Sequence, residues 1–530
     1  MNANATSLPS DPLEQCLHQL LESVTHHHQQ RFTEALQCLD AIPEPYCALP
    51  PVLAERATVL ADLGQFEQSL RTCRTLLAHA PEPEHRQLLN SIKERALSQC
   101  LAKESLDAAL QRGNIHLLAD EFSAAIEQYE RILTEFPNHR DALANKGFSL
   151  AALQHPEAAA ACYARLLTIY PEDALHWFNL GNVLKDMNRF DTARGVYEKA
   201  IDLQPDFAEA HLEIALCRFA EGNFSEGWSG YEWRWKTRQL HPHYLPLPSP
   251  VWLGKTSLRD RTILLWAEQG LGDTLQFARF VPLVADLAQH VILRADVRLC
   301  RLLQSLDPRI TIIDTETPIP AHDTHCPLMS LPLALERPLP WIPDAGAYLS
   351  PPSVQIDLHA DEPGRKTRRR MGLCWAGQQN GQVNPPRDVP FAQLHRLLQL
   401  DADFVNLQLN IPADDITDIA SHKPLIDPTS GIRDFSDTAA IIAPLDLVIS
   451  VDSAVAHLAG ALGKPCWLML RYSAEWRWQT ERNDSPWYPS FRLFRQPRPG
   501  DWGAVVEDVA EALCANALLQ SPAKTVSVQE

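Results

Sequence analysis

The stretch DLVISVDSAVAHLAGALGKP, residues 446–465, decides the fold of the C-terminal part of the chain. LVISV is an apolar, β-branched run with the length of a buried strand. The small residues after Ser453 form a helical pattern that ends at Gly463. An acid and a hydroxyl, Asp452 and Ser453, stand at the junction, where a strand and helix that only packed in a core would need neither. We therefore expect a ligand site at this junction.

The start of this helix has the features of a phosphate site. Ser453 is a good N-cap residue, because its side chain can accept a hydrogen bond from a free N–H of the first turn. The remaining free N–H groups and the positive end of the helix dipole attract phosphate. Ala454 leaves room for a ligand, and His457 lies one turn further on the same face as Ser453. In the alternative interpretation, Asp452 only caps the helix and His457 is a hydrogen-bonded core histidine.

A second candidate edge is EQGLGD, residues 268–273, which follows the apolar run ILLWA. Gly270 and Gly272 permit a tight turn whose amides face a ligand. A helix is predicted from about Thr274, which places Asp273 at its start as a candidate general base. The glycines alone are a weak signal, since the third glycine of the dinucleotide fingerprint is missing. The same loop contains two further candidate site residues, Glu268 and Gln269.

Apolar runs alternate with amphipathic segments around both stretches. TILLWA, HVILRA and ITIID are the predicted strands of one group, and MGLCWA, DFVNLQ, LVISV and CWLML are those of another. Such alternation gives parallel sheets that are covered on both faces and bind ligands at the carboxyl ends of the strands. We predict two Rossmann-like domains, at residues 250–360 and 370–520, with a cleft between them. The basic run RKTRRR, residues 365–370, is interpreted as a solvated linker between the two domains.

The first half of the chain repeats with a period of 34 residues. Pro137, Pro171 and Pro205 each close a segment with an alanine twelve residues earlier and a tyrosine eight residues earlier. This pattern is typical of a helix-turn-helix solenoid, in which small residues lie where helices cross and an aromatic ring fills the groove. We predict repeats over residues 13–236, interrupted by an irregular helical insertion near residues 84–104.

Composition excludes several classes of protein. The net charge of −19 argues against nucleic acid as a partner, because nucleic-acid affinity depends on clustered Lys and Arg. The twelve cysteines show neither Cys-x-x-Cys pairs nor finger-like spacing, which favours reduced thiols and hence the cytoplasm. The sequence contains no apolar run of about 18 residues, so we expect no transmembrane segment. The triplet His26–His28 is predicted to be a solvated helix face, because consecutive helical residues point in different directions.

The repeats and the α/β region each resemble a known family. The segment 174–205 resembles the tetratricopeptide repeat, which implies an α-solenoid over residues 1–240 that binds a partner protein. The stretch from about residue 262 to 515 resembles GT-B glycosyltransferases similar to bacterial heptosyltransferases and to the protein O-GlcNAc transferases that carry such repeats. The residues that match the tetratricopeptide pattern are Trp177, Leu180, Gly181, Ala193, Tyr197, Ala200 and Pro205. The motifs that match the glycosyltransferases are EQGLGD, WAGQQNGQVNPPRDVPF (375–391), FVNLQ (404–408), VDSAVAHLAGALGKP and AEWRWQTERNDSPWYPSFRLFRQ (474–496).

The second resemblance implies an activity. It is that of an inverting, metal-independent glycosyltransferase, which moves a sugar from a nucleotide sugar to a Ser or Thr hydroxyl of a protein, with a flagellin-type protein as one possible acceptor. The nucleotide sugar is a co-substrate, and no cofactor is expected. Asp273 matches the catalytic base, with His457 as a second catalytic candidate. The donor-binding candidates are Arg387, Gln408, Asp452, Ser453, Ala454, His457 and Lys464.

Several details stay open at this point. Asp388 and Glu475 depart from the family pattern, which has Ser and Asp at those places. Asp401 and Asp403 could be a metal-binding pair, but they precede a strand at the amino end of the sheet and are interpreted as a turn. Four aromatic residues either stack on a ligand or form a cluster under a loop: Trp476, Trp478, Trp487 and Tyr488. Two other functions remain as alternatives, a heptosyltransferase-like enzyme with a lipid or oligosaccharide acceptor and a repeat scaffold with a relic transferase domain.

Overall fold

The chain contains a helical repeat region followed by two parallel α/β domains. The computed structural model describes residues 12–100, 105–335, 346–352, 368–377, 387–412, 415–420 and 425–515. It divides into two compact units, one that ends at Leu184 and one that begins at Lys185. The division falls inside a helix of the repeats, so the last repeat helices form one unit with both α/β domains.

The repeats are built from thirteen helices over the described residues 12–231. The first unit contains α1 (Pro12–His28), α2 (Phe32–Asp40), α3 (Pro50–Asp62), α4 (Phe66–His79), α5 (Pro83–Cys100), α6 (Leu106–Leu118), α7 (Phe122–Glu135), α8 (Arg140–Ala152), α9 (Pro156–Ile169) and most of α10 (Ala174–Asp186). The second unit begins with α11 (Phe190–Leu203), α12 (Ala208–Ala220), α13 (Phe224–Tyr231) and the 3₁₀ turn Glu232–Lys236.

The predicted packing of small residues against tyrosine is confirmed. The three repeat tyrosines are buried, and so are the three alanines twelve residues before each proline. A Cβ added to Gly147 would lie 3.0 Å from the ring of Tyr163, and one on Gly113 would lie 2.6 Å from the ring of Tyr129. These glycines therefore let a helix approach the tyrosine of its neighbour more closely than any other residue could.

The insertion near residues 84–104 and the residue His27 differ from what the sequence predicted. The insertion near residues 84–104 is a single regular helix, α5, over its described part, and it contacts α4 and α6. His27 is not part of a solvated face: Nδ1 lies 2.9 Å from Glu55 Oε1 and Nε2 lies 2.8 Å from Asp62 Oδ2. These two carboxylates hold the pKa of His27 above its usual value although burial acts to lower it. The error arose because Glu55 and Asp62 come from α3, which the sequence of α1 does not reveal.

The first α/β domain has a four-stranded parallel sheet in the order β3-β2-β1-β4. Three predicted strands are present, and β4 was missed because Thr-His-Cys-Pro has no apolar run. Its strands are β1 (Thr262–Trp266), β2 (His290–Ala295), β3 (Ile310–Asp314) and β4 (Thr324–Pro327). Its helices are α14 (Leu271–Phe277), α15 (Val281–Ala285), α16 (Val297–Leu303) and α17 (Leu331–Ala334), with the 3₁₀ turn Ala278–Phe280 between α14 and α15.

The second α/β domain has a five-stranded parallel sheet in the order β6-β5-β7-β8-β9. The four predicted strands are confirmed, and β9 lies in the motif 474–496, for which no strand was predicted. The strands are β5 (Arg370–Cys374), β6 (Asp403–Asn406), β7 (Leu447–Val451), β8 (Cys466–Leu470) and β9 (Phe491–Arg495). The helices are α18 (His395–Leu398), α19 (Ile416–Ala420), α20 (Phe435–Ile442), α21 (Ala454–Ala461) and α22 (Trp502–Ala515), with the 3₁₀ turn Trp476–Trp478 after β8.

Each sheet has a point where the strand order reverses, and each candidate loop lies there. The loop after β1 begins between the neighbours β2 and β4, and α21 begins after β7, beside β5. Ligands bind at such switch points in open parallel sheets. In the described residues, no helix is long and apolar enough to cross a membrane.

Candidate active site

The N-termini of α14 and α21 meet within the second unit. A Cβ added to Gly272 would lie 2.8 Å from Cδ2 of His457 and 3.6 Å from Cα of Ala454. Only glycine at this position lets the two helices approach so closely. The Gly-rich loop of the first sheet and the Asp-Ser junction of the second, each a candidate ligand edge from the sequence, therefore lie together.

Ser453 caps α21 as predicted from the sequence. Its Oγ accepts a hydrogen bond from the amide of Ala456 at 3.4 Å, and its hydroxyl lies 3.0 Å from Oγ of Ser450. The amides of Ala454 and Val455 precede the first hydrogen bond within the helix and carry its positive partial charge. Gly463, with φ of +67°, ends this segment in the left-handed region. This helix start has the chemistry of a phosphate site.

Asp273 is the third residue of α14, which starts at Leu271 and not at about Thr274 as predicted. Its Oδ2 accepts the amide of Gly270 at 3.0 Å, and its Oδ1 accepts a hydrogen bond from Nη2 of Arg477. The side chain is 24% exposed. Asp273 is thus a carboxylate with both oxygens held by donors and with part of its side chain still exposed.

Arg477 is the central cation of the site. It is 6% exposed and comes from the turn after β8, so it reaches Asp273 from the opposite α/β domain. Its Nε donates to Oε1 of Gln276 at 2.5 Å, its Nη1 donates to Glu475, and its guanidinium lies 4.3 Å from the ring centroid of Trp476. These contacts leave the guanidinium with a single orientation.

Two further titratable groups line the site, Glu475 and His457. Burial raises the pKa of Glu475 to about 7; Arg477 opposes this rise and Asp452 adds to it. Burial lowers the pKa of His457 to about 4, so its imidazole is neutral at pH 7. Nδ1 of His457 lies 2.9 Å from the hydroxyl of Tyr488, Nε2 lies 3.8 Å from Asp452, and the ring stacks on Trp478.

The loop after β5 brings Arg387 to the same side of the second sheet. A Cβ added to Gly377 would lie 2.3 Å from Nε of Arg387, and the amide of Gly377 donates to Asp388 at 2.8 Å. The charge of Arg387 acts on the thiol of Cys374, which itself lies 3.7 Å from the hydroxyl of Ser453. Arg387 is therefore a cation near the start of α21. The intervening part of this loop, residues 378–386, lies outside the described residues.

Two family models match parts of this chain. A tetratricopeptide-repeat family model matches residues 110–174 and 178–227, and the model of glycosyltransferase family 9 (heptosyltransferase) matches residues 431–497. The second match contains Asp452, Ser453, His457, Glu475 and Arg477. The chain carries tetratricopeptide repeats and a glycosyltransferase family 9 domain.

Two curated relatives and one solved structure are similar to parts of this chain. Protein FlbA of Caulobacter vibrioides is 23% identical over 74% of this chain and 81% of its own length. The probable UDP-N-acetylglucosamine–peptide N-acetylglucosaminyltransferase SPINDLY of Hordeum vulgare is 26% identical over 26% of this chain and 15% of its own length. The crystal structure of MamA is 18% identical and covers 36% of this chain and 97% of its own, with a TM-score of 0.26.

Lys464 lies apart from the start of α21, whereas Gln408 lies near it. Sγ of Cys374 lies 3.4 Å from Oε1 of Gln408 and 3.7 Å from Oγ of Ser453. Lys464 follows the other end of α21, and its ammonium donates to the carbonyl of Ala443 at 2.8 Å. Gln408 is 6% exposed; its Oε1 accepts the amide of Ala376 at 3.0 Å and its Nε2 donates to the carbonyl of Asn410. Through the bond to Ala376, Gln408 fixes the start of the loop after β5.

Glu268 and Gln269 contact the end of the repeats. Glu268 Oε1 accepts from Nη2 of Arg234 at 3.2 Å and from the amide of Met329 at 3.0 Å, and Gln269 Nε2 donates to the hydroxyl of Tyr231 at 2.9 Å. Burial raises the pKa of Glu268 to about 7, which Arg234 opposes. The last repeat segment therefore supports the loop that carries Asp273.

The aromatic residues form a cluster rather than an open stacking surface. All four predicted candidates are at most 6% exposed. Trp476 lies 4.6 Å from Phe219 of α12 and 5.9 Å from Trp228 of α13, measured between ring centroids. Of the two interpretations of the sequence, the structure supports the aromatic cluster.

The two aspartates near β6 lie at the amino end of the sheet, as expected. Asp403 is the first residue of β6, and Asp401 pairs with Arg368 at 3.0 Å. Among the residues that the structure describes, no group of three or more His, Cys, Asp or Glu side chains is arranged to hold a metal ion.

Sequence reasoning missed the partners that come from distant segments. Arg477 was noted only as part of a family motif, and Arg234, Gln276 and Arg279 were not singled out. A signal for Arg477 was present in EWRW, because a cation between two apolar rings requires an acidic partner if the rings are buried. Nothing in the local sequence indicated that this partner is Asp273.

Proposed function

We propose that this chain is an inverting protein O-glycosyltransferase. It transfers a sugar from a nucleotide-sugar donor to a Ser or Thr hydroxyl of a protein that the repeats bind. The observation that supports this proposal most strongly is the meeting of α14 and α21, which joins a carboxylate of one sheet to a phosphate-type helix start of the other. The name of the Hordeum vulgare relative, a probable transferase of N-acetylglucosamine to peptide, points in the same direction.

The proposed reaction is a single displacement. The acceptor oxygen forms a bond to the anomeric carbon while the bond from that carbon to the diphosphate oxygen breaks. The proton of the acceptor hydroxyl goes to Asp273, and the nucleoside diphosphate leaves as an anion. The first-turn amides of α21 and the guanidinium of Arg387 stabilise the negative charge of the leaving group. We propose that this charge stabilisation requires no metal ion.

The description of the matched family, heptosyltransferase, favours a second candidate in which the acceptor is a lipid-linked or free oligosaccharide. The protein acceptor is preferred because tetratricopeptide repeats bind extended segments of proteins, and an oligosaccharide acceptor would leave them without a partner. Both candidates use the same site and the same reaction, so a transfer assay with different acceptors is needed to distinguish them.

The test begins with the donor. A panel of nucleotide sugars is screened for the compound that raises the melting temperature of the protein, because a ligand that binds the folded state stabilises it. Transfer from that donor is then measured to a flagellin, to other candidate proteins and to oligosaccharides. Transfer to sugars alone would select the second candidate, and no transfer to any acceptor would reject both in favour of a scaffold.

Asp273→Asn is the variant that tests the base. We expect transfer to fall by about 10²- to 10⁴-fold, the usual loss when a general base is removed, with donor affinity unchanged. The amide can accept from Gly270 but then turns its NH₂ toward Arg477, so a lower melting temperature is also expected. Asp286→Asn, an isosteric change at an exposed aspartate of the same domain, is the control. Full transfer by Asp273→Asn would exclude Asp273 as the base.

A further inference from the structure

Two buried arginines cross between the α/β domains in opposite directions. Arg279 of the first domain is 3% exposed, and its Nη1 donates to the carbonyl of Trp487 in the second domain at 2.7 Å. Arg477 of the second domain is 6% exposed and donates to Asp273 and Gln276 in the first. Arg279 and Arg477 are thus similarly buried, and each forms hydrogen bonds with the opposite α/β domain.

Their partners differ in charge. Arg279 contacts carbonyl oxygens and the rings of Tyr348 and Tyr488, each 4.7 Å from its guanidinium carbon. Arg477 contacts two carboxylates, those of Asp273 and Glu475. A charge-assisted bond to a carboxylate is stronger and more directional than one to a neutral oxygen. Of these two arginines, Arg477 is therefore the one that bonds the proposed base.

We propose that Arg477 is the positioning residue of Asp273. This assignment rests on the proposed function, in which Asp273 takes the proton of the acceptor. A carboxylate rotates easily about its last side-chain bond, and one donor fixes only one of its oxygens. With Gly270 on Oδ2 and Arg477 on Oδ1, both oxygens are fixed, and the open side of the carboxylate keeps a constant direction.

The surroundings of Arg477 make it suited to this role. Gln276 holds its Nε, Glu475 holds its Nη1, and the ring of Trp476 lies against its face. Trp476 is itself held by Phe219 and Trp228 at the end of the repeats. The position of the base thus depends on contacts from both α/β domains and the last repeat segment.

The test asks whether Arg477 acts through Asp273. The turnover number and the KM values for donor and acceptor are measured for Arg477→Gln, Asp273→Asn and the double variant. We expect Arg477→Gln to lower kcat by about 10- to 100-fold, since small misplacements of a reacting group cost this much, with the donor KM unchanged. In the Asp273→Asn background the same change should cost less than about twofold, because the residue it positions is already disabled.

Arg279→Gln is the matched control. It removes a buried cation from the same domain contact without touching a carboxylate, so its effect on kcat should be the same in both backgrounds. Arg477→Lys provides a second variant if Arg477→Gln does not fold. It retains the charge and one bond, so it should recover part of kcat. An equal loss from the Arg477 change with and without Asp273 would overturn the proposal.

Unfolding by denaturant separates failure of this inference from failure of the proposed function. The free energies of unfolding of the wild type, Arg477→Gln, Asp273→Asn and the double variant give a coupling energy between Arg477 and Asp273. This coupling energy does not depend on transfer. Coupling in unfolding, with no transfer by the wild-type protein, would reject the function and retain the ion pair. Transfer with uncoupled kcat values would reject the positioning role and retain the function.

Discussion

His457 shows how a residue chosen from a motif acquires a different role once its surroundings are known. The sequence suggested a catalytic or donor-binding group, with a core histidine as the alternative. In the structure its ring stacks on Trp478, forms a hydrogen bond with Tyr488 and packs against Gly272. A neutral imidazole of this kind can accept or donate a hydrogen bond in the site but carries no charge at pH 7. Because burial lowers the pKa of His457, this residue makes the free energy of unfolding depend on pH.

The first prediction at this scale is that His457 makes the protein sensitive to acid. Its pKa is about 4 in the folded protein and near 6.5 in the unfolded chain, so the unfolded chain binds more protons between these values. Stability is therefore lost as the pH falls from 6.5 toward 4, by about 2 kcal/mol between pH 7.5 and pH 5. In His457→Gln, whose amide can still bond Tyr488, this part of the loss should disappear.

The measurement is the free energy of unfolding at pH 7.5 and pH 5 for both proteins. Glu268 and Glu475 titrate in the same range with the opposite sign, since their raised pKa values favour the folded state as the pH falls. They are present in both proteins, so the difference between wild type and variant isolates His457 to first order. Parallel pH profiles would show that His457 does not carry the predicted acid sensitivity.

At the scale of single elements, the two ends of α21 have different surroundings. The N-terminal end contains Ser453 and has Arg387 nearby, whereas Lys464 follows the C-terminal end and donates to Ala443. The eight residues of the helix separate these ends by about 12 Å. The sequence grouped both cations with the donor because it gave their spacing along the chain but not the direction of their side chains.

We therefore predict that Arg387 and Lys464 differ in their effect on nucleotide binding. Arg387→Ala removes a cation next to the proposed diphosphate site and should weaken binding of the nucleoside diphosphate by about 10- to 100-fold, the value of a hydrogen bond to a charged group. Lys464→Ala should change the Kd by less than about twofold. Isothermal titration with the nucleotide identified in the donor screen measures both. Equal losses for the two variants would contradict the assignment of the site to the N-terminal end.

The same scale shows what the sequence could and could not predict. The bounds of β2, β3, β7 and β8 follow from their apolar runs, and the Ser453 cap follows from local residue preferences. β4 and β9 lack a clear signal, because β4 has four residues without an apolar run and β9 follows a stretch rich in aromatic residues. Contacts such as Arg477 with Asp273, 204 residues apart, depend on the packing of two domains and have no local signature.

At the scale of the whole molecule, the repeats do not end where the glycosyltransferase begins. The compact unit that contains both α/β domains starts at Lys185 and includes α11, α12 and α13. Arg234, fully buried after α13, bonds Glu268, Glu232 and Ser330. The sequence boundary near residue 240 thus marks a change of pattern, whereas the structural boundary lies three helices earlier, before α11.

The prediction that belongs to this scale compares two truncations. A protein of residues 172–530 retains α10 to α13 and should melt cooperatively and bind nucleotide like the full chain. A protein of residues 237–530 loses Phe219, Trp228 and Arg234, which exposes Trp476 and leaves Glu268 without its buried cation. Large buried aromatic residues contribute about 3–5 kcal/mol each, and the total stability of a domain is about 5–15 kcal/mol, so the shorter protein should fail to fold. Thermal melts and nucleotide titrations of both proteins provide the measurement. A cooperative melt with unchanged nucleotide affinity for residues 237–530 would show that the last repeats only adjoin the transferase domains and do not complete their core.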